Sequence, residues 1–163
     1  MDVVIAKYKP QIYFDVGANE GGFFITWLTS GATTIHGFEP VPDMAEKARE
    51  KYRDDPRVHV HQVAVSDVKG RLENVNVYNT WSIAPFNSRR DVARDYRAKA
   101  PFSVDVITLD EVGVIPDFVK LDVDGYEYNV LKGMKNILLT RKPPIYFEFS
   151  FLIADFFIVL PLF

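Results

Sequence analysis

Residues 12–22 constrain the fold more than any other stretch. The apolar run Ile12-Tyr13-Phe14-Asp15-Val16 passes at once into Gly17-Ala18-Asn19-Glu20-Gly21-Gly22, and then into an aromatic helical face of Phe23, Phe24, Trp27 and Leu28. A short apolar run closed by glycine reads as a buried strand, and apolar residues recurring at helical spacing read as a helix. The sequence therefore predicts a strand, a tight turn and a helix. Gly17 and Gly21 leave the backbone bare where it must bend, and the first N–H groups of the new helix point toward the same spot. A small-molecule site is expected there.

The same unit then recurs. Residues 33–39 form a second strand that ends on the carboxylate of Glu39, and Pro40 and Pro42 punctuate the turn. Asp43 with Glu46 has the form of a capping box, and Met44, Ala45, Ala48 and Tyr52 continue with helical spacing. Residues 58–65 read as a third strand, and Lys69-Gly70 marks a turn before a half-exposed strand over 72–78. Residues 79–101, polar and basic with Arg89, Arg90, Arg94 and Arg97, read as a surface excursion in which Ser82 could sit on a lid. Residues 104–109 are expected as an edge strand and 118–122 as a buried one. A helix follows through Val130, Leu131, Met134, Ile137 and Leu138, ended or kinked at Gly133, before a last clear strand at 145–149. Strands alternating with helices predict an α/β fold, a doubly wound and mostly parallel sheet covered on both faces.

With 163 residues the chain is one domain in expectation, residues 1–149, followed by an apolar tail at 150–163. The tail is shorter than the roughly 20 residues of a membrane-spanning helix. It is read as a buried strand or docked end, with an interfacial segment or an exposed, aggregation-prone strand as the alternatives. A net charge of −3 with interspersed signs gives no basic stripe, which argues against nucleic acid as the partner. The absence of cysteine removes disulfides, thiolate metal sites and cysteine nucleophiles, and fits a reducing compartment. With no signal-peptide pattern at the N-terminus, the expected location is cytoplasmic, and a membrane is not an expected partner.

The glycine pattern is Asp-x-Gly-x-x-x-Gly, not the Gly-x-Gly-x-x-Gly that seats a pyrophosphate, and this weighs against a nicotinamide dinucleotide. Glu39 lies 22 residues beyond Gly17, where a carboxylate at a strand end can accept both hydroxyls of a ribose. Together the two features favour an adenosine-containing ligand. His36, His59 and His61 fall at strand positions without a metal-like triad and are expected as satisfied strand histidines, with only His61 near enough to a strand end to meet a ligand. Lys120, inside an apolar strand, is expected in a structural ion pair with Glu127 or Glu148.

Four blocks carry a family resemblance: residues 15–22; Phe38-Glu39-Pro40; Ala64-Val65-Ser66-Asp67; and Phe118-Val119-Lys120-Leu121-Asp122-Val123-Asp124-Gly125-Tyr126-Glu127 with Leu131-Lys132-Gly133. Over residues 11–149 the chain resembles the FkbM-type methyltransferases, a branch of the class I enzymes that use S-adenosyl-L-methionine. The resemblance implies a Rossmann-like sheet. The chain departs from class I enzymes, which usually add two further strands after the one at 145–149, in having fourteen residues after Phe149, so that the expected sheet is shortened at its C-terminal end. The resemblance also implies that Asp15, Gly17, Ala18, Asn19 and Gly21 surround the methionine end of that cofactor. Glu39 and Pro40 would lie at the ribose, and Ala64, Val65 and Asp67 would line the adenine. Methyl transfer to a hydroxyl oxygen of a small molecule or sugar is the implied activity, and a non-catalytic or truncated cofactor-binding domain is the alternative.

The reaction needs few residues, because a sulfonium methyl is already an activated electrophile and the protein must mainly align the nucleophile and accept its proton. The carboxylates of Asp15, Asp122, Asp124 and Glu148 are expected to converge at the switch point of the sheet. Asp122, Asp124 and Glu148 are the candidate catalytic residues, and Asp122 is also a cofactor contact. Clustered carboxylates serve as a general base, as oxygen ligands for a divalent cation, or as caps and loop supports. No metal is assigned.

Overall fold

The computed structural model describes residues 1–77, 101–151 and 154–160, with side chains as far as residue 147. Its main sheet has the order β3-β2-β1-β7-β8-β9, built from β1 (Ile12–Val16), β2 (Thr34–Phe38), β3 (Val58–His61), β7 (Phe118–Leu121), β8 (Ile145–Phe151) and β9 (Ala154–Leu160). The first five strands are parallel, and β9 runs antiparallel beside β8. Part of the tail is thus a strand added to the sheet edge. A smaller sheet, β4-β6-β5, joins β4 (Ala64–Val65), β6 (Phe102–Ile107) and β5 (Gly70–Val75).

Alternation along the parallel strands sends side chains to two cores. Tyr13, Ile35 and Phe118 face one layer, against Ile5 of α1 (Asp2–Tyr8), Phe24 and Trp27 of α2 (Phe24–Thr29), and Ala48 and Tyr52 of α3 (Pro42–Tyr52). Tyr13 stacks on Trp27 at 4.9 Å. Phe14, Val16, Val119 and Leu121 face the other, against Val130 of α4 (Glu127–Lys132) and Ile137 of α5 (Lys135–Thr140). Each large apolar side chain sealed in these layers contributes roughly 1.5–3 kcal/mol. The doubly wound, mostly parallel sheet expected from the sequence is present.

Several local expectations are corrected. The third strand is not continuous over 58–65: β3 ends at His61 and the chain crosses to the small sheet at Ala64. Residues 102–107 are not an edge strand, because β6 takes β4 on one side and β5 on the other. Helix α3 begins at Pro42 with Val41 as its cap, and Asp43 falls in its first turn instead of capping it. The helix after β7 is two helices, broken at Gly133 where a Cβ would come within 2.0 Å of the Ser66 carbonyl oxygen. Helix α1 carried no clear signal in its short apolar run. The basic excursion with Ser82, Arg89, Arg90, Arg94 and Arg97 lies outside the described residues.

Candidate active site

The turn after β1 is held from both sides. Gly17 and Ala18 donate their N–H groups to the Phe38 carbonyl, at 3.0 and 3.1 Å, which ties the turn to the end of β2. On the other side the Asp122 N–H donates to the Val16 carbonyl at 2.9 Å. Gly17 has φ +81°, and a Cβ there would lie 1.9 Å from the Asp122 carbonyl oxygen. Only glycine allows the two strand ends to close this tightly.

Glu39 follows directly on β2 and is 3% exposed. One carboxylate oxygen accepts the Asn19 N–H at 2.8 Å and the other accepts the Val41 N–H at 2.9 Å. The acid therefore points at the glycine turn, locked by backbone on both oxygens. Burial pushes its pKa up to about 7, against the pull of those two N–H groups. Each carboxylate oxygen has a second lone pair, so two further donors, such as a ribose diol, can still be accepted.

Beneath the turn, register places Asp15 opposite Lys120, and both side chains point to the same face. Lys120 Nζ lies 3.1 Å from Asp15 Oδ1, 3.2 Å from Asp122 Oδ2 and 3.4 Å from the Gly17 carbonyl oxygen, under the ring of Phe23. Burial works against the ammonium, but the two carboxylates outweigh it and raise its pKa. Asp15 is wholly buried, and its second oxygen has no partner among the described residues. Burial therefore lifts its pKa to about 6 despite Lys120. The expected partner of Lys120 was Glu127 or Glu148; among the described side chains Asp15 and Asp122 hold it, and Glu148 lies outside them. Glu127 instead accepts the N–H groups of Val123 and Gly125, at 3.3 and 3.2 Å, shaping the loop after β7.

A cavity of about 810 Å³ opens between these strand ends and the small sheet. Its wall includes Gly17, Asn19, Glu39, Pro40, Ala64, Val65, Asp122 and Asp124. Asp15, Ala18 and Gly21 stand behind the wall rather than in it. Asp67 is turned away, into an ion pair with Lys132 and a 3.1 Å bond from Asn129, which holds its carboxylate down at about 2. Glu148 belongs to β8, with its side chain outside the described ones. The small sheet adds residues that alternation alone did not single out: Arg71, Leu72, Asn74, Val75 and Asn76 of β5 and the loop after it, with Tyr126 beyond β7. A register shift between Leu72 and Val75, with Asn74 at φ 55°, breaks the pattern that would have marked them.

His36 Nδ1 and His61 Nε2 are 3.0 Å apart, and His61 lies outside the cavity wall. Burial, with the neighbouring imidazoles, lowers His36 to about 4. Among the described residues no group of three His, Asp or Glu side chains is arranged to hold a metal ion, and no helix is long and apolar enough to cross a membrane.

A glycine turn after the first strand, a carboxylate after the second, and helices on both faces of a β3-β2-β1-β7-β8 sheet define a Rossmann-like α/β domain of the class I methyltransferase type. Residues 15–162 match the methyltransferase FkbM domain, and the chain belongs to that family. It is 28% identical over 164 residues to the 2-O-methyltransferase NoeI of Sinorhizobium fredii (strain NBRC 101917 / NGR234), covering 91% of this chain and 67% of that one. Among solved structures it resembles the methyltransferase FkbM of Methylobacillus flagellatus KT, with a TM-score of 0.60 and 19% identity over 85% of this chain. The ribosomal protein L11 methylase of Lactobacillus delbrueckii subsp. bulgaricus follows the same fold, with a TM-score of 0.53 and 11% identity over 90% of this chain and 56% of that one. The chain spans 32% of the length of the M. flagellatus protein.

Proposed function

We propose that the protein binds S-adenosyl-L-methionine in this cavity and transfers its methyl group to a hydroxyl oxygen of a small molecule or sugar. The observation that carries the reading is the buried Glu39 carboxylate bonded to Asn19 of the glycine turn at the cavity wall. Family membership and the likeness to a 2-O-methyltransferase support methyl transfer to oxygen. When bound, the cofactor would supply an activated methyl group. Glu39 would accept the ribose hydroxyls, with Pro40 beside them. Gly17 and Asn19 would offer bare backbone to the methionine end, with Asp15, Ala18 and Gly21 supporting the turn. Ala64 and Val65 would flank the adenine, leaving Asp67 to brace that loop from behind. Asp122 would meet the cofactor, and Asp122, Asp124 and Glu148 are the proposed acceptors of the hydroxyl proton.

Native mass spectrometry of the purified protein tests the cofactor: a retained mass of S-adenosylmethionine or its demethylated product is expected. Transfer of a labelled methyl group to simple glycosides tests the acceptor. Binding without transfer to any hydroxyl compound would leave only the cofactor half of the reading standing.

A further inference from the structure

Lys120 is more fully engaged than a buried ion pair requires. Its ammonium donates to the Asp15 carboxylate at 3.1 Å and to the Gly17 carbonyl at 3.4 Å, and forms an ion pair with the Asp122 carboxylate at 3.2 Å. A lysine present only to neutralise Asp15 could be exchanged, together with Asp15, for an uncharged pair at little cost in stability. The third partner differs from the other two. The Asp122 side chain is 35% exposed, lines the cavity, and sits on the strand end that closes against Gly17. Left alone, a half-exposed aspartate would exchange rotamers, and a binding group must be held within about 0.5 Å to be effective.

We propose that Lys120 is a positioning residue: its buried ammonium fixes the Asp122 carboxylate against the glycine turn, and Lys120 acts on the bound cofactor only through Asp122. The inference rests on the methyltransferase reading above. It assigns Lys120 a part that a structural ion pair would not have, because the ammonium sets where a ligand-facing carboxylate stands.

A thermodynamic cycle read by titration calorimetry with S-adenosylhomocysteine tests it. Asp122→Asn is expected to weaken binding about tenfold. The paired change Asp15→Asn with Lys120→Met, which removes one charge of each sign, is expected to keep the fold and weaken binding by a similar factor. All three changes together are expected to cost no more than Asp122→Asn alone. Losses that multiply to about a hundredfold, or a paired variant that binds like the wild type, overturn the proposal. Should the paired variant melt at the working temperature, Lys120→Arg replaces it in the cycle. Its displaced head group is expected to weaken binding when Asp122 is intact and to change nothing alongside Asp122→Asn; equal losses in both backgrounds overturn the proposal. A wild-type protein that binds neither S-adenosylmethionine nor S-adenosylhomocysteine fails the functional reading itself. Binding with additive losses fails the positioning role alone.

Discussion

The two ends of the parallel sheet treat their partly or wholly buried carboxylates in opposite ways. At the N-terminal ends of the strands, Asp117 accepts the N–H groups of Gln11 and Ile12, both at 3.0 Å, and pairs with Arg141. Burial opposes the charge there, but those partners overcome it and hold the carboxyl below its usual value. At the C-terminal ends, burial prevails. Asp15 has an oxygen with no partner among the described residues, Asp15 and Asp122 divide one ammonium, and burial pushes the Glu39 carboxyl up to about 7. At one end the carboxylate is held by backbone and an arginine; at the other, Glu39 and Asp122 stand at the cavity wall with Asp15 behind it.

The difference can be broken most severely at Gly17. Gly17→Ala forces a Cβ into the Asp122 carbonyl at a left-handed backbone angle. A loss of about 3 kcal/mol or more is expected in urea denaturation, together with loss of cofactor binding. An unchanged midpoint would show that the strand ends need not close. At the opposite end, Asp117→Ala strands two backbone donors and Arg141, and is expected to cost about 1–3 kcal/mol. Cofactor affinity in calorimetry should stay within twofold of wild type. A large affinity change would erase the contrast between the ends.

Glu39→Ala is expected to weaken cofactor binding by at least tenfold, with a smaller effect on the melting temperature than Asp117→Ala. Its ionisation sharpens the contrast further. A folded-state pKa of about 7, above the ordinary 4.5, means that its contribution to stability is full below pH 4.5 and is lost as pH rises through 7. Cofactor affinity should move the other way, rising toward pH 8 as the ribose acceptor ionises, and Glu39→Ala should flatten that rise. A wild-type affinity independent of pH between 5.5 and 8 would remove Glu39 from the ribose. The smallest effect is expected at His36. Its folded-state pKa of about 4, below the ordinary 6.5, gives stability that is present above pH 6.5 and lost as pH falls toward 4. His36→Phe should lose less stability than the wild type over that interval; identical acid profiles would exclude it.

Much of the fold was legible because period and punctuation are local. The apolar run before Gly17, the carboxylate after Phe38 and the Lys-x-Asp block each announce a strand end, and the parallel order follows from intervening helices. The partner of Lys120 was not legible. Asp15 lies 105 residues away, and the two meet only because β1 and β7 pair in a register that places them side by side. A search for buried polar residues at equal depth on neighbouring strands would have suggested the pair. The β5 wall was hidden for a different reason. A half-exposed strand was legible there, but a register shift between Leu72 and Val75 interrupts its pairing, so alternation did not mark which residues face the cavity.

The sequence by itself determined a Rossmann-like sheet, a glycine turn and an acid at the neighbouring strand tip, since each of these is written in residues close together along the chain. Only the tertiary structure decided which carboxylates share an ammonium, which are saturated by backbone, and which face the cavity. Those outcomes depend on desolvation and strand register, properties of contacts between residues that the sequence keeps far apart.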